Sequence, residues 1–460
     1  MTDQLTDELM KRLLDRRKFL AATALTGSSL LLGSRGSAQD AATTSTAAAP
    51  TVSTPNANAL KCGIIGVGSQ GRVLINAALK VPDIRFVAVA DIWEYSRDYA
   101  GKILKKFGQP VNVYEDYKEM LAKEKLDAVF IATPDWVHSP ITVDCLTAGL
   151  HVYCEKEMSN TVEAARAMVK AAQASGKLLQ IGHQRRSNPR YLHATKMIGN
   201  DKILGRMTAI NGQWNRPVME PLGWPQKFTM TDEQLKKWGY ENMNQFVNWR
   251  WYKKYAGGPI IDLGSHQIDV YNWYTGVPPK SVVASGGTDY YKDGREWYDN
   301  VMCIYEYPAA TGTVRAFYQV LNTTSHGGFY ETFMGDEGSL EISEDQKVGH
   351  MFREVRAKKR EWEDLSEKVD KLGKDALELK IGETRTASGA KPPEVMKAEA
   401  DMKKPEHQPH VENFVYAIRG KEKLNCPGEV GFETCVTTLK VNDAIEQKRA
   451  IEFKPEEFKA

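Results

Sequence analysis

The first half of the chain alternates short apolar runs with longer stretches whose apolar residues return every three or four positions. Runs at 59–65, 84–90, 111–114, 127–132, 150–154 and 177–182 read as strands, and 70–80, 95–106, 138–148 and 162–175 as helices. Wholly apolar strands with helices between them predict a parallel sheet covered on both faces, a doubly wound α/β domain of the Rossmann type over 59–184. From about 185 the period changes. Strand-like runs at 206–214, 280–287, 300–307, 313–320, 330–335 and 339–343 follow one another with few helices between them. Residues 185–460 therefore predict an α+β domain built on a large, mostly antiparallel open sheet. Within it, 350–405 is dense in Lys and Glu and reads as a solvated helical insertion or mobile excursion, while 410–419 and 431–448 regain helical spacing.

The N-terminus has a different pattern. Arg16-Arg17-Lys18 precedes an apolar run at 19–32 that is too short to span a bilayer as a stable helix, and Gly36-Ser37-Ala38 follows. In that order the residues read as a twin-arginine export signal over 1–38. The low-complexity stretch 39–58 reads as a flexible tether. The expectation is a protein exported folded to the periplasm, with no stable membrane insertion once the signal is removed.

Composition adds limits. At 460 residues and 42% hydrophobic content the chain can hold two cored domains. The formal net charge of +2 shrinks further without 1–38, which carries six basic and four acidic side chains. No strong field for nucleic acid or anionic membrane remains. Six cysteines contain no C-x-x-C pair and suggest no metal; buried thiols are expected, with a Cys426–Cys435 disulfide left open by the oxidising compartment.

The chemistry begins where the first strand meets the first helix. Gly66, Gly68 and Gly71 occupy the three positions of G-x-G-x-x-G, with Ser69 and Gln70 between them. The glycines suit a tight turn, close approach of main chain to a pyrophosphate, and helix-on-strand packing. The second predicted strand ends in Asp91-Ile92, at the place of a carboxylate that accepts hydrogen bonds from an adenosine ribose and repels a 2′-phosphate. NAD is expected over NADP. Two further strand ends share this carboxyl edge: Thr133-Pro134, with His138 after them, and Glu155-Lys156. In the second half, Gly257-Gly258-Pro259 opens a helix, and i, i+4, i+7 spacing puts Asp262, His266 and Asp269 on one face. That face has metal-ligand character, yet no further clustered His or Cys offers the remaining ligands, so no metal is expected.

These ordered motifs resemble the Gfo/Idh/MocA family of glucose-fructose oxidoreductase and inositol dehydrogenase relatives. By that resemblance, Lys156 lies between nicotinamide and substrate, and Asp262 with His266 is the catalytic pair. The family's proline after the lysine is Glu157 here, which alters the loop and brings a carboxylate toward Lys156. The implied reaction moves hydride between a secondary alcohol of a sugar or polyol and a tightly held NAD. His266 acts as base, Asp262 orients it and favours its protonated form, and Lys156 stabilises the reacting oxygen. Residues suited to a sugar are Arg185, Arg186, Trp214, Asn215, Arg250, Tyr252 and Asp269. Two alternatives remain: an NAD-dependent glycosidase of oxidation, elimination and addition type using the same residues, and a non-catalytic sugar sensor. The resemblance also implies a homodimer or homotetramer formed through the open sheet.

Overall fold

The run predicted at 59–65 forms β1 (Leu60–Ile65), of which only Lys61 faces solvent. It lies at the centre of a six-stranded sheet with β2 (Ile84–Ala90), β3 (Asn112–Tyr114), β4 (Ala128–Ile131), β5 (His151–Cys154) and β6 (Leu179–Ile181), in the order β3-β2-β1-β4-β5-β6. Every pairing is parallel. Strand order reverses between β1 and β4, so the carboxyl ends of these strands open a crevice at the switch point, where open α/β sheets take their ligands. The connecting helices carry local stop signals. Val162–Ser175, for example, starts at Thr161, whose hydroxyl accepts from the Ala164 amide, and stops at Gly176 in the left-handed region.

The structure is a computed structural model that describes residues 52–359, 368–371, 374–378, 398 and 400–460. The predicted signal 1–38 and the tether as far as 51 lie outside the described residues. The end of the tether is not free as the low-complexity reading expected. The Ser53 and Asn56 amides donate to the carbonyls of Leu79 and Pro82 at 3.0 and 2.7 Å, fastening the chain to the turn before β2.

The second sheet has ten strands in the order β14-β15-β13-β12-β11-β7-β10-β9-β8-β16. They are β7 (Met207–Asn215), β8 (Ser281–Gly287), β9 (Asn300–Ala309), β10 (Gly312–Leu321), β11 (Phe329–Gly335), β12 (Gly338–Ile342), β13 (Gly349–Arg353), β14 (Lys368–Lys371), β15 (Lys374–Glu378) and β16 (Ile451–Glu452). Only β7 and β10 pair in parallel. On β9 the period of two buries Val301, Cys303, Tyr305 and Tyr307 against the helices and leaves Met302 and Ile304 outside. The buried tyrosines satisfy their hydroxyls there, as Tyr307 does on the Asn272 side-chain oxygen at 2.9 Å. The described parts of 350–405 include β14 and β15, which extend the sheet edge; the helical expectation fails on these two segments. All six cysteines are buried and free, so Cys426 and Cys435 are not bridged.

The helix Gly428–Gln447 packs on both β8 and the helix Val162–Ser175, so the two sheets share one apolar core. A separate aromatic core fills the excursion between β7 and residue 260. There Tyr240, Tyr252 and Tyr255 pack with Ile92, Trp93 and Trp136 from the strand ends of the first sheet. The Trp93 indole donates to the Phe228 carbonyl at 2.7 Å. No helix among the described residues is long and apolar enough to cross a membrane.

Candidate active site

Each fingerprint glycine meets a different spatial demand. Gly66 has φ of 81°, and a Cβ there would lie 2.7 Å from the Ala132 main chain. A Cβ on Gly71 would lie 2.2 Å from the Gly66 carbonyl oxygen, so the helix Ser69–Ala78 could not seat on β1. At Gly68 a Cβ would meet nothing within 4 Å, and no side chain caps the helix that follows. That open ground before uncapped helix amides fits a pyrophosphate.

Asp91 sits directly beside the turn. One carboxylate oxygen accepts from the Val67 amide at 2.7 Å and the other from the Trp93 amide at 2.8 Å. Each keeps lone pairs for a ribose diol. Burial raises its pKa above the ordinary range. Arg97 is committed to the carbonyls of Asp91 and Ile92 at 2.8 and 2.9 Å. Ile92 packs into the aromatic core.

The ends of β4 and β5 are stapled together. His138, expected among the cofactor contacts, is buried between the Glu157 and Thr133 carbonyl oxygens at 2.7 Å each, so it joins two loops; burial pulls its pKa down to about 4. Pro134 precedes the helix Asp135–Thr147, and the Thr133 hydroxyl is buried without a partner. Glu155 accepts from the Gln70 amide nitrogen at 3.0 Å, which locks the glycine helix to β5. Gln70 lies 3.0 Å from His407 as well, so the expected cofactor residues Gln70 and Glu155 spend side-chain bonds on each other.

Lys156 points across to the second half. Its ammonium donates to the Asp262 carbonyl and lies 3.7 Å from the Asp262 carboxylate, which also accepts from the Arg250 Nε at 3.1 Å. The neighbouring cations Arg250, Lys156 and Arg216 hold that carboxyl below its ordinary range against the opposing effect of burial. The residues Ile260–Gly264 form a π-helical turn before the α-helix Ser265–Thr275. A wider turn breaks the i, i+4 alignment expected between Asp262 and His266. No bond joins Asp262 to His266, and the His266 Nδ1 is buried without a partner. Burial, then the charge of Lys156, pushes the His266 pKa well below its ordinary value, so the imidazole is neutral. The expectation that Asp262 orients His266 and favours its protonated form is therefore corrected: Asp262 holds Lys156 and Arg250.

The predicted sugar contacts divide into two groups. Trp214 lies in the site, its ring 5.3 Å from His266 and stacked on Phe329 at 4.7 Å, and Arg250 is there through Asp262. The others are committed elsewhere. Arg185 is buried on Glu331 and Glu344, and Arg186 donates to both oxygens of Asp269, which also accepts from Thr434. Asn215 is bonded to the His326 carbonyl and to Gln319, and the Tyr252 hydroxyl accepts from Asn244 inside the aromatic core. These five hold the walls in place.

Sequence reasoning placed Arg216 and Asp135 in segments near the site without giving either a role, and did not single out His183 or His407. Asp135 is buried beside Asp262, Arg250 and Lys156, and burial followed by the Asp262 charge pushes it up to about 7. His183 is buried with neither ring nitrogen bonded, 3.9 Å from the Glu157 carboxylate. His183 follows β6 as Glu155 follows β5, so the strand-end rule that found Glu155 had the signal for His183 too.

Residues 60–183 match the family model described as an oxidoreductase family, NAD-binding Rossmann fold, and 191–341 match the GFO/IDH/MocA C-terminal domain. Inositol 2-dehydrogenase of Rubrobacter xylanophilus is 31% identical over 161 residues, 35% of this chain and 45% of that protein. The rhizopine catabolism protein MocA of Rhizobium meliloti is 28% identical over 223 residues, 48% and 58% of the two chains. The chain thus spans about half the length of these curated relatives. Among solved structures, the WlbA dehydrogenase of Bordetella pertussis in complex with NADH and UDP-GlcNAcA aligns with a TM-score of 0.60 at 19% identity, covering 86% of this chain and 99% of that one. A levoglucosan dehydrogenase in complex with NADH aligns with a TM-score of 0.64 at 17% identity, covering 86% and 99%. At these identities the likeness is one of fold.

Proposed function

Since the chain belongs to the Gfo/Idh/MocA oxidoreductase family, whose two domain models together match more than half of it, we propose that it moves hydride between a secondary alcohol of a sugar or polyol and NAD. The observation that carries this reading is a fixed cation near a neutral base: Lys156, held by Asp262, and His266, whose basicity the Lys156 charge helps to depress. When bound, NAD supplies the hydride acceptor. The fingerprint amides and Asp91 hold the dinucleotide at the carboxyl edge. His266 takes the hydroxyl proton, and Lys156 donates a hydrogen bond to the oxygen as it becomes a carbonyl. Trp214 offers an apolar ring face to the sugar. The aromatic excursion over Ile92 and Trp93 supports tight retention of the cofactor.

The test is to incubate purified holoprotein with a panel of free sugars and polyols and with aryl glycosides, following cofactor reduction and aglycone release together. Reduction on free sugars or polyols is the expected result. Aglycone release without net reduction would transfer the assignment to the redox-neutral glycosidase, and binding without either reaction to a sugar sensor.

Two accompanying proposals concern place and assembly. Arg16-Arg17 support export of the folded holoprotein to the periplasm, which requires Arg16→Lys/Arg17→Lys protein to stay in the cytoplasmic fraction. Val283, Met302 and Ile304 stand exposed on the outer face of the ten-stranded sheet, which supports self-association there; sedimentation of a Met302→Glu/Ile304→Lys variant should show a smaller species.

A further inference from the structure

Three cations surround a single ionised carboxylate in this site. Lys156 and Arg250 both use Asp262, at 3.7 and 3.1 Å. Arg216, which leaves β7 immediately after Trp214 and Asn215, has no side-chain hydrogen bond or ion pair among the described residues; its guanidinium rests over the Trp214 ring, 5.3 Å from the centroid. Asp135, raised to about 7, offsets only part of a charge, His266 is neutral, and the buried Glu157 carboxyl acts on Asp135 from the Lys156 side while facing His183. Arg185 and Arg186 are paired with Glu331, Glu344 and Asp269, although one Arg185 guanidinium nitrogen is buried without a partner and its charge reaches His266.

A partly desolvated guanidinium that shares a carboxylate with two other cations and has no direct ion pair of its own is costly, and the cost falls when an anion binds. Its planar fork matches the two oxygens of a carboxylate. Trp214, stacked on Phe329 and beside His266, carries the Arg216 and Arg185 guanidiniums over its ring at 5.3 and 5.7 Å from the centroid. We propose that the ligand of this site is a sugar acid, a uronate or aldonate, whose carboxylate is bound by Arg216 while its carbon skeleton lies on Trp214. A neutral sugar leaves Arg216 unpaired. A phosphate could also be gripped by such a fork, which is why a hexose phosphate belongs in the test. The inference rests on the oxidoreductase reading for the location of the ligand, and its test reads binding so that the two stand or fall separately.

Isothermal titration of purified holoprotein with methyl glucuronide, methyl galacturonide and gluconate, set against methyl glucoside, methyl galactoside and a hexose phosphate, decides the matter. The expected result is at least one carboxylate binding about tenfold or more tighter than its uncharged partner, roughly 1.4 kcal/mol. Arg216→Gln should erase that preference and Arg216→Lys keep part of it, with thermal melts confirming that both variants fold. The proposal is overturned if no carboxylate binds, if the uncharged partner binds equally well, if only the phosphate binds, or if the preference survives in Arg216→Gln. Tight uronate binding without cofactor reduction would sink the oxidoreductase reading and leave this one; turnover of neutral sugars without carboxylate preference does the reverse.

Discussion

The Lys156 ammonium is fixed by Asp262, through its main-chain carbonyl and at 3.7 Å from its carboxylate. A lysine at the end of a strand in the first sheet is thus aimed by a π-helical turn that packs under the second. Replacing Lys156 by Met should lower kcat by about a hundred- to a thousandfold, the usual loss for one donor to a developing oxyanion. NAD content, read by absorbance of the denatured protein's supernatant, should stay at the parent level.

The pH dependence separates His266 from Asp135. Neutral imidazole is the working form, and His266 gains a proton only well below the ordinary imidazole value of 6.5, so the rate should not fall as pH drops through that value. An inflection near 7 belongs to Asp135, and Asp135→Asn should abolish it. Linkage gives a second readout. The folded state holds the Asp135 proton up to about 7 against 3.8 in the unfolded chain, so this group's contribution to stability falls as pH rises across that window. Chemical denaturation of Asp135→Asn should show a flatter stability profile there.

The glycines predict two different failures. Gly71→Ala places a methyl 2.2 Å from the Gly66 oxygen and should give a protein with a lowered melting temperature. Gly68→Ala meets open space, so its melting temperature without cofactor should match the parent, while its NAD content falls because the methyl enters the pyrophosphate ground.

Glu157 does not serve Lys156. It is 1% exposed, its carboxylate accepts from the Met158 amide at 2.9 Å, and it faces His183 at 3.9 Å. Glu157→Ala leaves buried groups unpaired and should cost about 1–3 kcal/mol of stability in denaturant titration. Turnover of the folded fraction should stay within about twofold, an expectation that a direct role beside Lys156 would break.

Much of the first sheet was legible because its signals are local. The strand at 84–90 is bounded by Asp83 and Asp91, and the helix at 162–175 by a threonine cap and a left-handed glycine; both were read with their observed ends. The glycine turn with Asp91 was likewise readable from spacing. What escaped was long-range. The π-helical turn at 260–264 cannot be seen in residue spacing, so Asp262 and His266 were expected as partners, although Asp262 faces Arg250 and Lys156. Arg185 finds Glu331 and Glu344 far along the chain, and a sequence alone makes such an arginine look available for a ligand. The polar strands β14 and β15 lie at a sheet edge, where few positions need be apolar, and their lysines read as a helix surface.

The fastening of Ser53 and Asn56 has a geometric consequence. They are tied to the turn that precedes β2, and Asp91 follows the last residue of that strand, about 20 Å away across seven residues. Ser53 and Asn56 therefore sit at the amino edge of the sheet, while the dinucleotide crevice opens at its carboxyl edge. Changes at Ser53 or Asn56 and filling of the crevice act at opposite edges of the same sheet.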